Sequence, residues 1–211
     1  GTAPAASLVG QSTLDSGGAL GGIPTDLHDL FEPPYSGDDS RIHTNSWGAV
    51  TPGLPYDASA EEIDDVVWNN PDLVICFAAG NDGIDADGTG VVDAGSVGSQ
   101  SAAKNCITVG ASESDRPGFT PSYGTYWPGD YPADPVNSDQ QADDPNGLAA
   151  FSSRGPTREQ RIKPDVVAPG TCILSTLSRN VATSSTVFGT SSDPLFFYDT
   201  GTSMATPLVA G

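Results

Sequence analysis

The chain has 211 residues, enough for one domain with a sizeable core; hydrophobic residues make up 36%, and Gly (25) and Pro (18) are abundant, a profile of short regular elements joined by long loops. Eight Lys and Arg against 27 Asp and Glu give a net charge of −19, which excludes the basic footprint of a nucleic-acid binder and a polybasic membrane patch. No apolar run approaches the roughly 18 residues of a transmembrane helix.

The acid is nearly all Asp. It reads as solvated surface, as the mark of a salt-rich or extracellular habitat, or as oxygen ligands for calcium. In chain order, residues 7–13 (SLVGQST) predict a strand, followed by a turn rich in glycine at Gly17, Gly18, Gly21 and Gly22. A helix is expected from near Pro24, with Ile23, Leu27, Leu30 and Phe31 on one face, stopped by Pro33-Pro34. Residues 41–47 (RIHTNSW) predict the next strand. Ser59 and Glu62 form a capping-box signature ahead of Ile63, Val66 and Val67, and Asn70-Pro71 closes that helix.

Residues 73–79 (LVICFAA) are an unbroken apolar run of strand length, and 106–111 (CITVGA) and 165–168 (DVVA) repeat the signal. Unbroken apolar strands between helices predict a parallel sheet covered on both faces, hence an α/β fold. Between them, residues 113–147 carry six Pro, several Asp and Tyr123, Tyr126 and Tyr131, which predicts a long surface excursion with a functional role.

The chemistry concentrates in two segments. Residues 201–207 read GTSMATP ahead of Leu208-Val209-Ala210-Gly211. That order places Ser203 at the positive end of a helix dipole, beside backbone N–H groups with no partner inside the helix. Such groups can hold the oxyanion formed when a serine attacks an acyl carbon. A bare GTS is only a capping motif, as residues 189–191 show: they read the same and run into Ser192-Asp193-Pro194. The second segment, FAAGND at 77–82, puts the Asn81 amide just past the carboxyl edge of the sheet, where open α/β folds keep their sites.

With NSWG at 45–48, FSSRGPT at 151–157 and KPDVVAPG at 163–170, these segments resemble, in order and spacing, the subtilisin-like serine proteases, and among them the alkaline subtilisins. The resemblance covers nearly the whole chain and is weakest at 120–147. It implies a three-layer fold with a mostly parallel central sheet, incomplete here, and proteolysis through an acyl-enzyme. Ser203 would be the nucleophile. Asn81 and the Ser203 N–H would be the oxyanion donors, supported by Thr202. Ser46, Trp47 and Gly48 would pair with an extended polypeptide substrate, and Ala78, Ala79 and Gly80 would line the pocket for the residue preceding the scissile bond. Phe151 and the turn Ala168-Pro169-Gly170 would lie near the site. A secreted enzyme is implied, acting on polypeptide and on neither nucleic acid nor membrane.

The family's general base, a His in a G-H-G-T-H-like segment oriented by an Asp, has no counterpart here. The two histidines, His28 and His43, read as a surface residue and a structural residue. The chain therefore reads as part of a subtilase catalytic domain over 1–211, missing an N-terminal part of its own domain. Alone it is expected to be unstable and inactive. A rival reading is a non-catalytic, calcium-stabilised binding module of subtilase shape.

Calcium enters through residues 85–96 (DADGTGVVDAGS). Asp85, Asp87, Thr89 and Asp93 fall at EF-hand positions 1, 3, 5 and 9, with Gly90 at 6 and the Val91 carbonyl at 7. Ser96 stands where the bidentate Glu belongs. Cys76, Cys106 and Cys172 read as buried small hydrophobes, with a Cys76–Cys106 bridge left open.

Overall fold

The apolar run at 73–79 becomes a strand, β2 (Val74–Ala78), inside a four-stranded parallel sheet ordered β1-β2-β3-β4. Its companions are β1 (Ile42–Asn45), β3 (Ile107–Ser112) and β4 (Val166–Pro169). The computed structural model describes residues 2–48, 53–178 and 188–211.

Residues in register face the same side of a sheet. Ile75 and Phe77 of β2 enter one core with Phe31 of α1 (His28–Gly37) and Ile63 and Val66 of α2 (Ala58–Asn69). On the opposite face Val109 and Ala111 of β3 pack with Ala205 of α4 (Thr202–Ala210). Helices thus cover both faces, and the fold is α/β as expected. The pairings Asn45↔Phe77 and Ala78↔Val109 bring β1 and β2 to a common carboxyl edge, where α4 begins.

Several local expectations are corrected. Residues 7–13 do not form a strand: Leu8 is 92% exposed, and the segment is tied down by Gln11, which donates to the Leu30 carbonyl at 2.9 Å and bonds His43 Nε2 at 2.8 Å. A strand exists only by sharing its N–H and C=O groups with a neighbour, and β1 ends the sheet without pairing to this segment. α1 starts at His28 rather than near Pro24, and Pro33 and Pro34 lie inside it. Each proline removes one donor, but burial of Leu30, Phe31 and Pro34 holds the segment helical.

The cap of α2 is Asp57, which accepts the Ala60 N–H at 3.2 Å, and not Ser59. Glu62 turns instead to the start of α1 and accepts the Leu27 N–H at 3.0 Å. The 113–147 segment runs mostly over the surface but is anchored at several buried points. It carries a short helix, α3 (Tyr123–Tyr126), and buries Tyr123 and Tyr131 to 2% exposure or less beside Phe151. A count of Pro and Asp missed this because three or four aromatic anchors suffice to fold such a loop onto a core.

Beyond β4, Cys172 leads into an antiparallel pair, β5 (Ile173–Thr176) with β6 (Phe196–Asp199), which delivers the chain to Gly201. The three cysteines are buried free thiols.

Candidate active site

Asn81 and α4 meet at the carboxyl edge of the sheet. The turn leaving β2 passes through Gly80 at φ +105°, and Gly201, the residue before α4, has φ +153°. A Cβ on Gly201 would stand 3.3 Å from Asn81 Nδ2, so glycine lets the two segments approach. Asn81 Oδ1 accepts both the Thr202 N–H and the Thr202 hydroxyl, each at 2.9 Å. A backbone N–H can only donate, so the atom facing it is the amide oxygen. That fixes the amide with its NH2 group away from Thr202; Asn81 Nδ2 and the Ser203 nitrogen both border the position a Cβ on Gly201 would take, at 3.3 and 3.7 Å. Thr202 is 1% exposed, which makes this support rigid.

Ser203 follows in the same turn. Its Oγ donates to the Ser46 carbonyl at 3.4 Å, and Ser46 Oγ donates to the Ser203 carbonyl at 3.0 Å. These reciprocal bonds hold the segment after β1 against α4. Asn45, 1% exposed, donates to the Cys76 carbonyl at 3.2 Å and accepts from Trp47 Nε1 at 3.2 Å. The Trp47 ring then meets Phe77 edge-on, with centroids 5.2 Å apart.

A cavity of about 210 Å³ is lined by Ser46, Trp47, Gly48, Ala78, Ala79, Gly80, Asn81, Thr202 and Ser203. The structure thus brings together every residue expected to act on substrate. Asp82, Gly98 and Ser101 also line it and were not foreseen. Asp82 is legible as the neighbour of Asn81; Gly98 and Ser101 lie on a connection with no motif. Ser101 Oγ donates to the Ala78 carbonyl at 2.6 Å and so braces the pocket wall. The FSSRGPT segment buttresses the other side: the Ser153 N–H donates to the Gly80 carbonyl, and the Gly83 N–H to the Phe151 carbonyl, each at 2.9 Å. The Gly201 N–H donates to the Gly170 carbonyl at 2.8 Å, which places the Ala168-Pro169-Gly170 turn against the residue that precedes α4.

Neither histidine serves Ser203. His28 bonds Asp26 at 2.7 Å and Asp65 at 3.0 Å, and these carboxylates, Asp65 foremost, raise its pKa. It is partly shielded and paired rather than a free surface residue. His43 is largely buried against Phe31, and loss of water pushes its pKa down to about 4. An imidazole that stays neutral and is bonded to Gln11 is structural, as expected.

The proposed calcium ligands do not form a cage. Asp85 is fully buried and spends both oxygens on backbone donors: Oδ1 accepts the Thr89 N–H at 2.8 Å and Oδ2 the Gly90 N–H at 2.9 Å. Asp87 Oδ1 accepts the Thr89 N–H at 3.2 Å, Asp93 Oδ2 accepts the Ala86 N–H at 2.8 Å, and Val91 is 65% exposed. Among the described residues no three His, Cys, Asp or Glu side chains gather as a metal site. The EF-hand spacing is present, but these carboxylates turn inward to cap their own loop.

Comparison with known proteins gives one family. The family model described as "Subtilase family" matches residues 1–211. The chain is 30% identical over 238 residues to the serine protease/ABC transporter B family protein tagD of Dictyostelium discoideum, covering 88% of this chain and 12% of that protein. It is 29% identical over 217 residues to the serine protease AprX of Bacillus subtilis, covering 100% of this chain and 42% of that protein. The chain therefore spans less than half the length of these relatives. In fold it is similar to a lanthipeptide protease (TM-score 0.54, 17% identity, 94% of this chain and 51% of that one). It is also similar to the prenylagaramide maturation protease PagA (TM-score 0.51, 18% identity, 88% of this chain and 46% of that one).

Proposed function

The chain belongs to the subtilase family, and from that premise we propose that it supplies the nucleophile and oxyanion half of a serine endopeptidase site. In this reading Ser203 attacks the carbonyl carbon of a peptide bond. The electrons of the carbonyl move onto its oxygen, which Asn81 Nδ2 and the Ser203 N–H hold, and collapse expels the amine to leave an acyl-enzyme. Water then releases the acyl group. The Ser203 proton must leave for a general base, and no imidazole among the described residues reaches it; a His oriented by an Asp elsewhere in the protein completes the site. The observation that carries the reading is the Asn81 amide, its oxygen held by Thr202 and its Nδ2 bordering, with the Ser203 nitrogen, the space beside Gly201.

A serine-reactive phosphonate applied to the protein that carries this chain is expected to add once, and peptide mapping should place the adduct on Ser203. An unlabelled Ser203 in a folded protein would support the binding-module reading instead, in which the cleft holds peptide without cutting it.

Two narrower proposals accompany this one. Residues 1–211 expressed alone are expected to show no proteolysis and no sharp cooperative melt, because β1 leaves one edge of the sheet unpaired and Ile42, Leu8 and Leu14 each more than half exposed. A well-behaved monomer with a single steep transition would overturn that. The 85–96 loop is read as held by its own N–H···carboxylate bonds, without a structural calcium ion. Substituting Asp87 with alanine should then leave the response of the melting temperature to added calcium or chelator the same as in the parent protein; a lost response would restore the metal site. Secretion is proposed on the family resemblance; among the described residues no helix is long and apolar enough to cross a membrane.

A further inference from the structure

The cleft beside Ser203 has walls of Trp47, Ala78, Ala79 and Gly80, and of all the side chains lining it only Asp82 is ionisable. The Asp82 N–H donates to Ser153 Oγ at 3.0 Å, which fixes the backbone, while its carboxylate folds over Gly80, where a Cβ would stand 3.0 Å from Oδ2. The same serine hydroxyl reaches Asp82 Oδ2 only at 3.5 Å. Among the described residues no Lys, Arg or His forms an ion pair with it. Partial burial pushes its pKa up, and only that hydroxyl opposes the shift. A half-dehydrated carboxylate without a cation is a costly arrangement for a fold alone, and the cost is relieved when a cationic guest arrives.

The rest of the cleft suits such a guest. An apolar wall followed by one anionic group matches an amphipathic side chain, whose methylene stem packs on Trp47 and the alanines while its charged tip reaches the carboxylate. The chain's net charge of −19 also draws cations toward it from a distance.

We propose that Asp82 is a specificity-determining residue, and that this pocket selects a lysine or arginine side chain in the residue preceding the scissile bond. The proposal rests on the endopeptidase reading above and names the substrate class of that site.

Binding separates the two. The Ser203→Ala form of the protein that carries this chain is titrated calorimetrically with acetyl-Ala-Ala-Arg, acetyl-Ala-Ala-Lys and acetyl-Ala-Ala-Phe. The cationic peptides are expected to bind about tenfold to a hundredfold more tightly than the phenylalanine peptide, the range set by one charge-assisted hydrogen bond. That preference should shrink with added salt and with acid that protonates Asp82. Adding Asp82→Asn should abolish it and Asp82→Glu should retain it, with matched melting curves showing that each variant folds. If a variant does not fold, the acid and salt dependence of the parent's preference decides. Equal binding of the three peptides overturns the proposal and leaves the endopeptidase reading standing. Binding of none overturns both.

Discussion

Replacing Ser203 with alanine is expected to lower peptide hydrolysis by the protein that carries this chain about 10⁶-fold, and replacing Asn81 with leucine about 10²–10³-fold; both figures are those of a related subtilisin. The two differ because the residues act at different points. Without the Ser203 hydroxyl no acyl-enzyme forms at all. Leucine at 81 keeps the volume near Gly201 but removes the donor proposed to meet the oxyanion, a loss of about 2.7–4 kcal/mol at the transition state in the related subtilisin. Since the oxyanion exists only after attack begins, the Asn81 change should appear in kcat with KM nearly unmoved. Thr202→Val tests the support: it removes the hydroxyl bond to Asn81 Oδ1 but leaves the backbone bond, each 2.9 Å long. Its loss of kcat should be smaller than that of Asn81→Leu. In the double variant, Asn81→Leu should cost less on top of Ser203→Ala than it does alone, because the two serve one step. An Asn81→Leu enzyme impaired only in KM would mean that the amide binds substrate and not the oxyanion.

The site was more legible in the sequence than the fold around it, and the reason is local. Ser203, Asn81 and the 46–48 and 78–80 segments are each fixed by short-range chemistry: a glycine where two segments touch, an amide one turn past a strand, a serine at a helix start. That chemistry recurs as contiguous motifs. The strand expected at 7–13 failed because pairing is a property of two segments, and Leu8 and Val9 say nothing about whether a neighbour exists. The 85–96 loop was ambiguous for a related reason. Carboxylates spaced for a metal are equally spaced to accept backbone N–H groups, and in the fold Asp85 accepts those of Thr89 and Gly90. Asp82 was passed over because a charge beside a motif reads as solvated surface until a cavity is seen around it.

The contribution of Glu113 to stability should fall, not rise, as pH increases from about 4.5 to about 7. Its side chain is nearly inaccessible, 3% exposed at the end of β3, and burial raises its pKa from 4.5 to about 7 against the opposing Tyr123 hydrogen bond. Tyr123 Oη donates to Oε1 at 2.7 Å and the Asp144 N–H approaches Oε2 at 3.3 Å, while the charge of Asp139 adds to the upward shift. A carboxyl that binds its proton more tightly when folded stabilises the fold below its unfolded pKa, and loses that contribution as pH passes its folded pKa. The shift corresponds to about 3 kcal/mol. Asp26, Asp72 and Glu159, with lowered values, and the buried His43, pushed down to about 4, change stability in the opposite sense, so the comparison must be made against a variant. Glu113→Gln carries no proton to lose. Its amide can donate to Tyr123 Oη while its oxygen accepts the Asp144 N–H, so the local bonds survive. Urea unfolding at a series of pH values should then show the variant gaining on the parent protein between pH about 4.5 and about 7, with a constant difference on either side. A difference that does not change with pH would mean that Glu113 titrates at its ordinary value, and that the 113–147 segment lets water reach it.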